Sequence, residues 1–184
     1  MIPIHTIFGA FLVFFALIGS LRGWAKEIIV AFSVILALFV EHVLLSFLPP
    51  VRALFDNMTT QSQFFVRSSM FIFITIFGYA SPTLATRFGA KIARDRLEDL
   101  LLGFFLGMFN GFLIVGTLLS FLHAANYGIL DDPAVGIGGI VPPAPDSTSE
   151  NLMDFMPPAL IAKSDAALYI AVAASFVFVI IVFI

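Results

Sequence analysis

Five long apolar runs restrict the fold of this chain more than any other feature. A helix needs about 20 mostly apolar residues to cross the hydrocarbon core of a membrane. The runs cover residues 4–21, 28–48, 64–79, 100–122 and 166–184. With 60% hydrophobic and 11% charged residues, the chain of 184 residues carries more apolar surface than a soluble domain of that size buries. The sequence therefore predicts an all-α, polytopic transmembrane protein with five spans.

Composition divides the chain into three parts. Residues 1–125 hold four of the apolar runs and are interpreted as a four-helix membrane core. Residues 126–165 are acidic and rich in proline and glycine, which predicts an extramembrane loop with little regular structure. Residues 166–184 form a C-terminal transmembrane helix. Within the core, Pro49 and Pro50 are expected to end the second span, and residues 56–63 are expected to form a polar connector.

The stretch before the fourth span has the spacing of an amphipathic helix. Leu84, Phe88 and Ile92 recur every four residues, with basic residues on the flank between them. This pattern predicts a helix lying in the membrane interface, and the alternative is the frayed base of the fourth span.

Basic residues near the ends of the spans predict the orientation. Those assigned to the membrane surface on one side are Arg22, Lys26, Arg87, Lys91, Arg94 and Arg96. The other side has Arg52, Arg67 and Lys163, and Arg67 is expected to snorkel to an interface. The positive-inside rule then places the connections at 22–27 and 80–99 in the cytoplasm. The N-terminus and the 126–165 loop lie outside.

The fourth span carries a glycine every fourth residue. Gly103, Gly107 and Gly111 share one helix face, where a second backbone can approach closely. That backbone belongs either to this chain or to a second copy of it. Asn110 lies near the middle of the same span and is expected to hydrogen-bond to a neighbouring helix.

Four ionisable side chains fall in the outer half of the predicted spans: His5, Glu41, His42 and His123. One hypothesis joins them in a shared site, as a metal centre with Glu41 as carboxylate ligand, a proton relay, or an axial ligand to a pigment or haem. The alternative is that these histidines are ordinary interfacial residues. No His-x-x-x-His spacing is present, so the alternative is favoured and no metal site is predicted.

Other function classes are disfavoured by composition and missing motifs. The absence of cysteine excludes disulfides, thiolate catalysis and Cys-ligated metals. A net charge of −3 without a broad basic face gives no support to nucleic-acid binding. No hydrolase, P-loop or HExxH motif occurs, so no catalytic residue is assigned and a non-enzymatic protein is expected. The 23 phenylalanines suit lipid or pigment contact, but no cofactor is predicted.

Two short motifs in sequence order resemble the colicin V production protein family, CvpA. The first is the turn Gly19-Ser20-Leu21-Arg22-Gly23-Trp24-Ala25-Lys26-Glu27, and the second is Asp95-Arg96 leading into the glycine-rich fourth span. The resemblance covers about residues 4–125. It implies a small bacterial inner-membrane protein without established catalytic residues, linked to bacteriocin production or export and to envelope homeostasis. The last sixty residues depart from the family pattern and are interpreted as an added module.

Three functional hypotheses follow. The first is a non-enzymatic scaffold or export accessory that acts through helix packing, with membrane lipid and other membrane proteins, or a second copy, as partners. The second is an accessory subunit of a larger respiratory, photosynthetic or transport complex. The third, a small channel or carrier, has less support, because Glu41 is the only clear acid at depth.

Overall fold

The computed structural model describes residues 2–80, 96–127 and 140–183. Its helices are α1 (Ile4–Arg22), α2 (Trp24–Phe47), α3 (Pro49–Asp56), α4 (Thr60–Ala80), α5 (Arg96–Ala124), α6 (Thr148–Met153), α7 (Pro157–Ile161) and α8 (Asp165–Phe183). Two short strands, β1 (Ile2–Pro3) and β2 (Ile140–Val141), pair in parallel. The predicted all-α fold class is confirmed.

Four helices in the described residues are long and apolar enough to cross a membrane: α1, α2, α4 and α5. The apolar part of α8, Asp165–Ile181, is shorter than these four. The chain is therefore a multi-pass membrane protein with a four-helix core and an additional apolar helix at its C-terminal end.

The region after the second span differs from the prediction. Pro49 and Pro50 begin a new helix, α3, because the first turn of a helix has free N–H groups and tolerates proline. None of the residues of α3 is buried. Since α4 already starts at Thr60, the expected polar connector at 56–63 is wrong, and only three residues separate the two helices.

Helix α5 is the centre of the bundle. It packs closely against α1 and also contacts α2, whereas α1 and α2 contact each other little although only Gly23 separates them. Gly23 has a φ of 85°, a left-handed conformation that glycine adopts without strain and that turns the chain between the two helices. The remaining face of α2 packs against α4 and α8.

The described part of the 126–165 segment is ordered against the core, so the expectation of little regular structure is wrong for residues 140–165. Met153 and Met156 are buried in an apolar cluster with Ile4 and Phe8 of α1. The physical reason is that this segment is not uniformly polar, and its apolar residues cover the end of the α1–α5 pair. The predicted interfacial helix at 84–92, with Arg87, Lys91 and Arg94, lies outside the described residues.

Candidate functional site

Two buried carboxylates lie on the same face of α2. Glu27 is fully buried and Glu41 is 5% exposed. They are fourteen positions apart, which is close to four helical turns and about 21 Å along the axis. This separation is about two thirds of the roughly 30 Å thickness of a hydrocarbon core.

Glu27 of α2 bonds to side chains of two neighbouring helices near the α1–α2 turn. Its Oε1 accepts a hydrogen bond of 2.7 Å from Arg22 Nη1. Asn110 of α5 donates from Nδ2 to Glu27 Oε2 at 2.7 Å and to the Glu27 backbone oxygen at 2.8 Å. The Arg22 guanidinium lies 4.3 Å from the centroid of the Tyr79 ring on α4. This group therefore links α1, α2, α4 and α5 through charged and polar contacts.

Glu41 forms a second ion pair at the other end of α2. Arg67 of α4 donates from Nε to Glu41 Oε1. The Arg67 guanidinium also lies 4.2 Å from the centroid of the Phe121 ring on α5. Arg67 therefore bonds inside the bundle. The sequence led us to expect that Arg67 snorkels to an interface, and in the structure it forms an ion pair with Glu41 instead.

A small cavity lies beside Arg67. Its volume is about 20 Å³, which is enough for one water molecule. Its lining residues are Thr60, Gln63, Phe64, Arg67, Phe121, Ala124 and Ala125.

Apolar side chains separate the two ion pairs. Val34, Leu38, Phe71 and Leu113 belong to one buried cluster between α2, α4 and α5. Alongside this cluster, α4 carries three hydroxyl groups that have no hydrogen-bond partner in the described parts of the chain. They belong to Ser68, Thr75 and Tyr79.

The glycine face of α5 is packed against α1 of the same chain. A Cβ added to Gly107 would lie 2.8 Å from Gly19 Cα, and one added to Gly111 would lie 2.7 Å from Phe15 Cβ. Gly103 lies against the Gly19 carbonyl group. Because α1 occupies this face, a second copy of the chain cannot use it while the bundle is intact.

The structure does not bring the three histidines and Glu41 into one group. Glu41 faces α4, whereas His42 is rotated by about 100° on the same helix and faces α8. There His42 Nε2 lies 3.4 Å from Asp165 Oδ1, without the alignment of a hydrogen bond. Across the described ranges, no three His, Asp or Glu side chains lie close enough to hold a metal ion.

The other two histidines have partners in the C-terminal half. His5 Nδ1 lies 2.9 Å from Ser149 Oγ, and His123 Nδ1 lies 3.1 Å from the Tyr127 hydroxyl. Burial raises the pKa of Tyr127 to about 12, and the nearby Glu150 carboxylate adds to the shift. The His5 contact connects the start of α1 to α6, whereas the His123 contact is local to the end of α5.

Of the residues assigned to the basic surface, Arg22 is instead paired with buried Glu27. Arg96 is exposed and Lys26 is half-buried, both at the same end of the bundle as Arg22. Asp99 at this end accepts a hydrogen bond of 3.2 Å from the Trp24 backbone N–H, which fastens the α1–α2 turn to the start of α5.

Sequence reasoning did not identify Glu27 or Arg67 as site residues. Glu27 was assigned to a connection, because the apolar run of α2 begins after it. The available signal was the spacing of the two glutamates, since fourteen positions place both on one helix face. The position of Arg67 inside an apolar run was a second signal, because a charge within a span requires a partner.

Buried ion pairs of this kind hold helices in register. Removing one partner of a buried pair typically costs about 3–5 kcal/mol, because the other charge is left without compensation. In a membrane the outward faces of the helices contact lipid, which does not solvate an unpaired charge, so the surroundings of the bundle do not reduce this penalty. The two pairs and Asn110 therefore fix how α1, α2, α4 and α5 meet.

The fold and these buried pairs define a class, the polytopic α-helical membrane proteins. The sequence model of the family described as "Colicin V production protein" matches residues 4–130, which is more than half of the chain. The chain belongs to this family, CvpA, and the suspected resemblance is confirmed. Neither a curated protein nor a solved structure matches the chain. The match includes α1 to α5 and thus every residue of the two ion pairs.

Proposed function

We propose that this CvpA-family protein is a non-catalytic scaffold of the bacterial inner membrane that holds partner membrane proteins during production or export of a toxin. The toxin-related part rests on the family description, and the scaffold part rests on one observation. The charged side chains of the two ion pairs, Arg22 with Glu27 and Arg67 with Glu41, connect the helices to one another. Charged groups that connect the helices suit a protein that acts by presenting a fixed surface.

The surface left for a partner inside the membrane is apolar. The glycine face is taken by α1, so the proposed contact lies on outward faces of the helices. On α4, Phe73 is 63% exposed and Ile76 is 56% exposed. Side chains of this kind pack against lipid or against another membrane helix equally well.

The proposed orientation follows the positive-inside rule. Arg22, Lys26 and Arg96 belong to the end of the bundle where α1 meets α2, and this end is proposed to face the cytoplasm. The end that carries His5 and the α6 segment would then face outward. An activity reporter fused after Ile184 should be active in the cytoplasm, and activity only on the outer side would contradict the proposed orientation.

A second candidate is an accessory subunit of a larger membrane complex that packs against lipid or pigment. One observation favours it, an open groove of about 430 Å³ between α2 and α8. Its lining is apolar and aromatic and consists of Phe39, Val43, Phe47, Tyr169, Val172 and Ala173. A coloured or redox-active complex that co-migrates with the protein in mild detergent would favour this candidate.

Site-specific photo-crosslinking in intact cells tests the scaffold proposal. A photoreactive residue is placed at Ile76, which faces outward, and the matched control carries it at Val34, which is fully buried. A protein adduct of one defined mass is expected from position 76 and none from position 34. Lipid adducts alone from position 76, together with a lone monomer in mild detergent, would refute the scaffold.

A further inference from the structure

The buried face of α4 that meets α2 carries a line of unpartnered hydroxyl groups. Ser68 is 7% exposed and Thr75 is 5% exposed, and the hydroxyls of both, like that of Tyr79, lack a hydrogen-bond partner among the described residues. The three residues are separated by seven and then four positions, so they share one helix face. The line spans about 16 Å along the helix axis.

This line of hydroxyls runs between the two ion pairs. Ser68 follows Arg67, which bonds Glu41, and Tyr79 stacks with Arg22, which bonds Glu27. A buried hydroxyl without a partner costs about 1–3 kcal/mol, and a membrane offers it no bulk water. Three such groups on one face therefore need a partner that the described residues do not supply.

We propose that the α2–α4 seam is a proton path across the membrane, running from Glu41 through the hydroxyls of Ser68, Thr75 and Tyr79 to Glu27. A hydroxyl can accept a hydrogen bond on one side and donate on the other, as a relay requires. Successive hydroxyls are about 10 Å and about 6 Å apart along the axis, so the proposed path requires bridging water molecules between them.

The transfer is balanced without any further reactant. A proton from the outer side binds the Glu41 carboxylate and passes on toward Ser68, and each hydroxyl or water accepts one proton and releases its own. The Glu27 carboxylate then accepts a proton from the Tyr79 end of the line and releases it toward the cytoplasm. Only O–H bonds form and break, and the electrochemical gradient supplies the driving force. The cavity beside Arg67 brings the outer end of the path close to water.

Charged groups at both ends match these roles. At rest, the Glu41 carboxylate is paired with Arg67 and the Glu27 carboxylate is paired with Arg22, so each acid has a basic partner at its end of the path. His42 is the neighbour of Glu41 on α2 but faces Asp165 on the α8 side, away from the seam. At the inner end, Asn110 holds the Glu27 carboxylate in place from α5.

Phe71 is the barrier in this path. It lies between Ser68 and Thr75 on the same face of α4 and is 1% exposed. Its ring packs edge-on against Phe121 with the centroids 5.9 Å apart. The proposal therefore predicts slow proton transfer in the wild type and faster transfer when this ring is made smaller.

Proton flux into liposomes tests the path. The purified full-length protein is reconstituted with a pH-sensitive dye inside, and a potassium diffusion potential is applied with valinomycin. Wild-type vesicles should take up protons faster than protein-free vesicles. Phe71→Ala should raise the rate about tenfold, which corresponds to a barrier lower by about 1.4 kcal/mol. Glu41→Gln should abolish the uptake.

A pair of threonine variants separates a relay from a structural role. Thr75→Val removes an unpartnered hydroxyl and should lower the flux about tenfold, the result of a barrier higher by about 1.4 kcal/mol. Thr117→Val is the matched control, since Thr117 is equally buried but donates to the Leu113 carbonyl oxygen at 2.6 Å. The control should keep the wild-type flux although it loses a hydrogen bond. Equal flux in the two variants would overturn the proposal.

Two further results would also overturn it. One is a Phe71→Ala protein that is monodisperse in detergent and yet conducts no faster than protein-free vesicles. If the Phe71→Ala protein does not fold, Phe71→Leu is measured in its place, and a smaller rise in the rate of proton uptake is expected. The other is sodium flux, measured without valinomycin, that rises in the same variants as proton flux, because that result indicates an open aqueous pore rather than a relay.

Discussion

Replacing Gly107 with alanine tests the close crossing of α1 and α5. The added Cβ would lie 2.8 Å from Gly19 Cα and 3.0 Å from Gly19 N, and both atoms belong to a backbone that cannot rotate away. Carbon atoms normally approach to about 3.5–4.0 Å, so the two helices must separate by about 1 Å. A gap of that size loses a quarter to a half of the dispersion energy of the contacts it opens.

Overpacking of this kind costs about 1–3 kcal/mol, and the higher helix propensity of alanine returns at most about 1 kcal/mol. We therefore expect Gly107→Ala to lower the unfolding midpoint, measured by thermal unfolding of the detergent-solubilised protein. The matched control is Gly9→Ala on α1, because a Cβ at Gly9 meets no atom within 4 Å. The control should keep or raise the midpoint. Equal midpoints for the two variants would refute the close crossing.

Two other predictions concern the C-terminal segment. The pKa of Tyr127 is raised from 10.0 to about 12 in the folded chain, so the phenol loses its proton at a lower pH in the unfolded chain. Protonated Tyr127 therefore stabilises the folded state fully below pH 10, and this stabilisation is lost as the pH rises to about 12. Unfolding midpoints measured across this range should fall in the wild type and fall less in Tyr127→Phe; identical slopes would contradict this. Gly116→Leu should displace Pro157 and Met156, since a Cβ there meets them at 2.6 and 2.9 Å. Limited proteolysis should then cut residues 140–164 faster than in the wild type, and an unchanged rate would argue against the packing of this segment.

Much of the fold could be predicted from the sequence because it depends on local pattern. Apolar length predicts the spanning helices, and a fourfold glycine spacing indicates a face for close packing. Asn110 in the middle of a span required an acceptor on a neighbouring helix, and the structure places Glu27 there. These inferences need only helix geometry and the cost of burying polar groups.

The pairing of the buried charges could not be predicted in this way. Arg67 and Glu41 are distant in sequence, and only the way α2 packs against α4 brings them together. The order of the C-terminal segment was missed for a related reason. Its prolines and glycines indicate a loop, but Met156 and Pro157 are fixed by a cleft at Gly116 that exists only after α5 has folded.

A double-mutant cycle on Glu41 and Arg67 measures whether ion pairs join the helices of this bundle. Glu41→Leu and Arg67→Met are measured alone and together by reversible unfolding in detergent. Each single variant should lose about 3–5 kcal/mol, because it leaves one charge buried and unpaired. The double variant should lose far less than the sum, which gives a large coupling energy. Additive losses would mean that Glu41 and Arg67 do not stabilise the bundle as a pair.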